Sequence, residues 1–432
     1  MENERNLINI EKEFEKVIGY DYIKKELYRI CDIMLNEEVY KKLGVSVPNG
    51  IILDGDPGMG KTLMARCFIN ASGRKAFVCR KDKPNGDFVN QIKETFEKAR
   101  QNAPSIILLD DMDKFANEDV HHRNAEEYVT VQACIDETKE QNVFVFATTN
   151  DLDNLPDSLK RAGRFDNIIK IENPSIEDAQ KIIEHYIKEK HFVAEVDSKT
   201  IIRLLNGSSC AELETVINEA GIYAGFERKN KIETEDIIKA CMRVIHRAPE
   251  FAKPHSKNAL KRIAYHEAGH AIIADTLMPD SVNFVSVRRH GGNTGGFTSY
   301  FQDEDYWLDI EIMKNRVTTL LAGKAATEIV FGVVDTGANN DLHRAFDIAE
   351  RFVDNYCSYG FDSWEQSRNT SSAVMERKEM RTFSEMERLY NKAKKLLVEN
   401  REFLDAVANA LIENEVLTNS DIKKIKENLR VA

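Results

Sequence analysis

Three short apolar runs in the first half of the chain end on polar residues, and their pattern predicts buried strands. Asn49-Gly50-Ile51-Ile52-Leu53-Asp54 runs into a glycine-rich segment. Ser105-Ile106-Ile107-Leu108-Leu109 ends at Asp110-Asp111, and Val143-Phe144-Val145-Phe146-Ala147 ends at Thr148-Thr149-Asn150. Unbroken apolar runs bounded by turn residues mark strands buried on both faces of a parallel sheet. After the first strand, Leu63, Met64, Ala65, Cys67 and Phe68 recur at helical spacing. From Asn173 to about Ala248 the pattern is helical again, with Ile176, Ala179, Ile182, Ile183 and Tyr186 on one face behind a Pro174-Ser175 start. The run from Arg247 to Pro254 contains two prolines and breaks that pattern, which predicts a domain joint. Beyond it, Leu260 to Leu277 reads as a helix and Gly295-Gly296-Phe297-Thr298-Ser299-Tyr300 as a short strand after a glycine-rich turn. The tail from Glu376 to Val416 reads as amphipathic helix with no evident chemistry.

A chain of 432 residues exceeds one ordinary core, so two or three domains are expected. The net charge of −12 disfavours nucleic acid as a partner, because phosphate backbones require clustered Lys and Arg. Seven cysteines, with no CxxC pair, suit reduced thiols in a cytoplasmic compartment. No apolar run approaches the ~18 residues that cross a bilayer. The start, Met1-Glu2-Asn3-Glu4-Arg5, is too polar for a signal peptide.

Between the first strand and its helix lies Gly55-Asp56-Pro57-Gly58-Met59-Gly60-Lys61-Thr62, a complete phosphate-binding loop in the strand–turn–helix setting that its chemistry needs. The glycines let backbone N–H groups wrap the phosphates at a helix N-terminus. Lys61 is placed to reach the β and γ phosphates of ATP, and the Thr62 hydroxyl to hold Mg²⁺. Asp110 and Asp111, at the end of the second strand, fall beside this loop. Asp110 suits the Mg²⁺ shell, and Asp111 the orientation of the attacking water.

His266-Glu267-Ala268-Gly269-His270 sits inside the predicted helix 260–277. Histidines four apart share a helix face and can ligate one Zn²⁺, while Glu267 beside them can take a proton from the attacking water. Catalytic zinc needs a third protein ligand. Residues 273 and 276 are Ile and Thr, so the motif does not supply it locally. Glu328, Asp335, Asp341, His290 and His343 remain candidates by spacing.

The run Leu159-Lys160-Arg161-Ala162-Gly163-Arg164-Phe165-Asp166, read with the loop and strands before it, resembles the AAA+ ATPases. Together with the histidine motif the chain is similar to the FtsH-type ATP-dependent zinc metalloproteases, from about Val17 to about Leu417. The resemblance implies that Ile18 and Gly19 contact adenine through backbone, that Asn150 senses the γ-phosphate, and that Arg161 and Arg164 reach a neighbouring subunit's nucleotide. It also implies that Ala211, in Ser209-Cys210-Ala211-Glu212-Leu213, lies at the nucleotide. In Thr336-Gly337-Ala338-Asn339-Asn340-Asp341-Leu342 it selects Asp341 as third zinc ligand; Glu328 is the fallback, as a partner that orients a histidine. The strand at 295–300 corresponds to an edge that pairs with extended substrate.

Two departures stand out. The family usually has Asp-Glu where this chain has Asp110-Asp111, one methylene shorter at the water-orienting position. Its aromatic pore loop falls at Pro84-Asn85-Gly86, where no aromatic is present, so a weak grip on stable substrates is expected. The family usually carries N-terminal membrane spans, and no such span is seen here.

The implied architecture is α/β: an AAA+ P-loop parallel-sheet subdomain over 1–172, a helical lid over 173–250, and a mainly α-helical zinc-metallopeptidase domain over 256–432. The implied function is an ATP-dependent zinc endopeptidase that degrades proteins as a cytoplasmic homo-hexameric ring. Two alternatives are a peptidase whose cleavage needs little ATP turnover and a non-proteolytic AAA+ scaffold.

Overall fold

The computed structural model describes residues 10–45, 48–82, 87–117, 125–161, 163–190, 198–249, 255–290, 295–301, 309–334, 336–360 and 372–431. Pro84-Asn85-Gly86 and Asp335 lie outside the described residues. Packing divides the chain into two compact units, residues 1–191 with 207–217 and residues 192–206 with 218–432.

The first unit is built on five parallel strands, β1 (Gly50–Asp54), β2 (Lys75–Cys79), β3 (Ser105–Leu109), β4 (Val143–Thr149) and β5 (Asn167–Lys170), in the order β2-β3-β4-β1-β5. The three central strands are those foreseen from their apolar runs. Side chains alternate between two cores. Ile51, Leu53, Ile106, Leu108, Phe144 and Phe146 pack under α1 (Asp21–Leu35) and α2 (Lys61–Ser72). Ile52, Ile107, Leu109, Val145 and Ala147 pack under α3 (Phe88–Gln101) and α4 (Ala125–Thr138). The edge strands β2 and β5 keep exposed positions and so lack the unbroken apolar signature. All strands point the same way, so the loops after β1, β3 and β4 collect at one edge of the sheet.

The helical stretch after Asn173 resolves into α5 (Ile176–Lys188), α6 (Ser198–Leu204), α7 (Cys210–Phe226) and α8 (Thr234–Val244). The Ser175 hydroxyl caps α5 by accepting from Asp178 N.

In the second unit, α9 (Lys257–Leu277) and α10 (Ile310–Phe331) cross at close range. A Cβ on Gly269 would stand 2.7 Å from both Ala322 O and Ala326 Cβ, so only glycine permits this approach. The helices α11 (Asn339–Glu350), α12 (Ser372–Glu399), α13 (Arg401–Asn414) and α14 (Asn419–Val431) complete the layer. The core joins Ala268 and Ile272 of α9 to Ala325 of α10 and Leu404, Val407 and Leu411 of α13. An antiparallel sheet of β6 (Val282–Ser286), β7 (Phe297–Tyr300) and β8 (Val416–Thr418) runs in the order β7-β6-β8, leaving β7 at its edge. The tail is two helices rather than one. Asn400 leaves helical geometry between α12 and α13, and its amide donates to Leu396 O at 2.8 Å. Among the described residues no helix is long and apolar enough to cross a membrane.

Candidate functional sites

Gly58 and Gly60 take positive φ values of 85° and 83°, which lets the loop after β1 turn back over the start of α2. Lys61 Nζ donates to Gly55 O at 2.5 Å, Asp56 O at 2.8 Å and Asn150 Oδ1 at 3.0 Å. Burial pushes the lysine's pKa down, against nearby carboxylates that include Asp111. Asn150, 89 residues away in sequence, is thus brought onto the loop lysine. Asp110 is buried, and its Oδ1 accepts from Thr148 Oγ1 at 2.9 Å and Thr62 Oγ1 at 3.4 Å.

Asp111 adopts a left-handed φ of 53°, with its N–H donating to Thr148 Oγ1 at 2.9 Å and its carboxylate 2.5 Å from Lys114 Nζ. Burial works to raise its pKa, but Lys114, Arg80 and Asn150 together outweigh this and the carboxyl lies below its usual range. The segment that follows Ile18 and Gly19 reaches the same loop: Tyr20 Oη lies 3.9 Å from Met59 Sδ and 3.4 Å from Cys210 Sγ. Ala211 N donates to Gly58 O at 3.1 Å.

The two predicted arginines differ. Arg161 is exposed. Arg164 is held within its own chain, with Nε and Nη2 on the two Asp136 oxygens at 3.1 and 2.7 Å and Nη1 donating to Ser158 O.

In the second unit, α9 presents His266 and His270 on one face, and Asp341 enters from the first turn of α11. His266 Nε2 lies 3.1 Å from His270 Nε2 and 3.1 Å from Asp341 Oδ2, and His270 Nε2 lies 3.3 Å from that oxygen. Bonds of about 2.0–2.2 Å at tetrahedral angles put ligand atoms about 3.3–3.5 Å apart. The triangle therefore fits one zinc ion with a fourth position open. His270 Nδ1 donates to Thr319 O at 2.7 Å, which leaves Nε2 as the ligating nitrogen. Burial disfavours charge on His270, yet Asp341 overrides it and holds the ion-free imidazole up at about 9. Burial likewise works to raise Asp341, but both imidazoles hold it far below the carboxylate range.

Glu267 is buried beside this triangle, and burial raises its carboxyl above the usual range. Thr298 Oγ1 donates to Glu267 Oε2 at 2.8 Å. His266, Glu267, His270, Thr298, Tyr300 and Asp341 share a cleft of about 440 Å³. Among the described residues, the other candidates are not part of the ligand triangle. His290 packs against Phe297 in a tilted arrangement, ring centroids 4.4 Å apart, in the cleft wall, and His343 is exposed. Glu328 is not a partner of either histidine: its oxygens are taken by Lys394 Nζ at 2.6 Å, Lys324 Nζ at 3.3 Å and the Tyr390 hydroxyl.

Sequence reasoning missed Thr298, Thr319 and Gly323. They reach the histidine motif from β7 and α10, across 31 or more residues, and carry no local pattern. The glycine-rich run 295–296 was the available signal, since a Cβ on Gly296 would lie 3.0 Å from Glu267 Cγ. Removing the hydroxyl with Thr298→Val should lower kcat for peptide cleavage about 10-fold or more, the value of a hydrogen bond to a charged group. KM and bound zinc should stay unchanged, and Thr298→Ser should restore the rate. Unchanged kcat in the valine variant would show that Glu267 does not depend on this bond.

A phosphate-binding loop on a parallel sheet and a His-Glu-His-Asp site on a helical unit, in one chain, define a nucleoside triphosphatase joined to a metallopeptidase. Residues 51–173 match the ATPase family associated with various cellular activities, and residues 253–425 match peptidase family M41. The chain is 32% identical over 430 residues to an ATP-dependent zinc metalloprotease, FtsH 2, of Thermoanaerobacter sp. (strain X514), covering 96% of this chain and 82% of that one. It is 31% identical to FtsH of Caldicellulosiruptor bescii, covering 95% and 71%, and 29% identical to FtsH of Bacillus subtilis, covering 95% and 69%. The chain belongs to the FtsH family of ATP-dependent zinc metalloproteases.

Proposed function

We propose that this protein is an ATP-dependent zinc endopeptidase that degrades protein substrates as a homo-hexameric ring. The observation that carries the reading is the triangle of His266, His270 and Asp341, closed to within zinc-ligand spacing beside a buried Glu267. Residues 1–172 would form the motor, 173–250 its lid and 256–432 the peptidase.

Within the peptidase, His266, His270 and Asp341 hold the ion. A zinc ion held there would supply Lewis acidity, which polarises a carbonyl and lowers the pKa of a water to about 7. Glu267, held by its hydrogen bond from Thr298, would take a proton from the attacking water and pass it to the leaving amine. Burial keeps the Tyr300 phenol protonated, so it faces the cleft as a hydrogen-bond donor. Among the described residues β7 is an edge strand that borders the cleft, and it would pair with an extended substrate.

Within the motor, Gly55 to Gly60 wrap the phosphates and Lys61 leaves its loop carbonyls for the β and γ phosphates. Thr62 and Asp110 would hold Mg²⁺, Asp111 and Asn150 would act at the γ-phosphate, and Ile18, Gly19 and Ala211 would contact the base. Arg161 completes the site of the next subunit. The seven free thiols suit a reducing compartment, and we place the protein in the cytoplasm.

One observation favours a second reading, in which cleavage needs little ATP turnover. Asp111 is both short and neutralised by Lys114. Casein cleavage by wild type and Glu267→Gln, with and without ATP, separates the two. The main reading requires ATP-stimulated cleavage in wild type and none in the variant. Equal wild-type rates with and without ATP select the second reading, and full activity of Glu267→Gln would overturn both.

A further inference from the structure

The strand pairing that builds the nucleotide site also delivers a cation that the hydrolysis scheme does not use. The strands β2 and β3 run parallel, with Cys79 opposite Leu109, and Asp110 N donates to Cys79 O at 3.0 Å. Residue 80 is thereby set against the flank of residue 110. Arg80 Nη1 donates to Asp110 Oδ2 at 3.4 Å, and Arg80 Nε lies 3.4 Å from Asp82 Oδ1. The two Asp110 oxygens thus have different partners. Oδ1 is turned to Thr62 and Thr148, on the side where the loop receives phosphate, and Oδ2 to a guanidinium.

We propose that Arg80 competes with Mg²⁺ for Asp110 and so couples the filling of the metal position to release of an arginine. The inference rests on the reading of Asp110 as a Mg²⁺ residue. A carboxylate as buried as Asp110, only 4% exposed, needs a counter-charge when no cation is bound. Arg80 supplies it from a side chain that is 52% exposed and therefore has room to leave. A divalent ion and a guanidinium on one carboxylate repel each other, so the ion's arrival favours departure of the arginine. Asp82, already beside Arg80 Nε, can hold the released side chain. Arginine keeps its proton across the working pH range, so the competition is between two fixed charges.

The test measures affinity for a fluorescent N-methylanthraniloyl ATP in saturating Mg²⁺ and in EDTA, on the full chain. The ratio of the two affinities reports the coupling of metal to nucleotide without relying on turnover. Arg80→Ala should raise this ratio about five-fold, the upper value of a half-exposed ion pair. Arg80→Lys, which keeps the charge but loses the fork, should fall between. The melting temperature of each variant shows whether β2 stays in place, and Arg80→Gln is read in the same way if the alanine variant loses its fold. Asp110→Asn should collapse the ratio and remove the effect of changing Arg80. A ratio unchanged or lowered by Arg80→Ala, with Asp110→Asn still collapsing it, overturns the competition and leaves the site reading intact. A ratio that Asp110→Asn does not change overturns the reading of Asp110, and the proposal with it.

Discussion

Gly323→Ala abolishes zinc binding and peptide cleavage while leaving ATP hydrolysis in place. Gly323 lies on α10 where the two imidazoles rest against it. A Cβ there would stand 2.5 Å from His266 Cε1 and 2.6 Å from both His266 Nε2 and His270 Nε2. No real Cβ sits that close, so the ligating nitrogens must move apart. Elsewhere on a helix the same substitution stabilises by about 0.5–1 kcal/mol, because glycine loses more backbone freedom on folding. A stable helix with an emptied metal site is therefore the expected phenotype, which separates it from simple misfolding. His266→Ala should give the same loss by removing a ligand outright. The measurement is zinc per chain by elemental analysis, beside casein cleavage and ATPase rates. Stoichiometric zinc in either variant would remove the histidine pair from the metal site. Asp341→Asn should weaken zinc less than loss of a histidine, since its amide oxygen can still coordinate.

The loop 55–62 and the motif 266–270 are legible in the sequence because their chemistry is local: one turn and one helix face fix the spacing. The central strands are legible because burial on both faces leaves an unbroken apolar run. Asp341 is different. It lies 75 residues from His266, and spacing left it equal to Glu328, Asp335, His290 and His343 until the resemblance singled it out. The packing of α11 against α10 brings it to the histidines. Glu328 sits on the same helix as Gly323 but is drawn off by Lys324, a local i,i+4 pair, and by Lys394 of α12, whose approach has no trace in the local sequence. Thr298, Thr319 and Arg80 act through register and helix crossing, so their roles become visible only once strands and helices are paired.

Arg161→Ala lowers ATP turnover about 10³-fold, the low end for an arginine acting on a neighbour's nucleotide. Arg164→Ala acts first on stability. The two stand three residues apart and look interchangeable in sequence, yet their surroundings differ. Arg161 is exposed, as a residue that must enter another subunit's site should be. Arg164 spends all three guanidinium nitrogens on Asp136 and Ser158 of its own chain. It is the first cause of Asp136 being pulled down to about 2. Asp136 is 37% exposed, so screening limits the cost of breaking the pair to about 1–2 kcal/mol, a loss of several degrees in Tm. Mixing variants tests the direction of each arginine. Lys61→Ala removes nucleotide binding, and a ring of that variant alone is inactive. In mixed rings with Arg161→Ala, some interfaces pair an intact phosphate loop on one subunit with an intact Arg161 on the next, so ATPase activity should reappear. Mixing Lys61→Ala with Arg164→Ala should restore nothing beyond the activity of the parents, because that arginine serves the chain it belongs to. Absence of recovery in the Arg161→Ala mixture would place Arg161 in cis, and recovery in the Arg164→Ala mixture would show that its pair with Asp136 opens in the assembled ring.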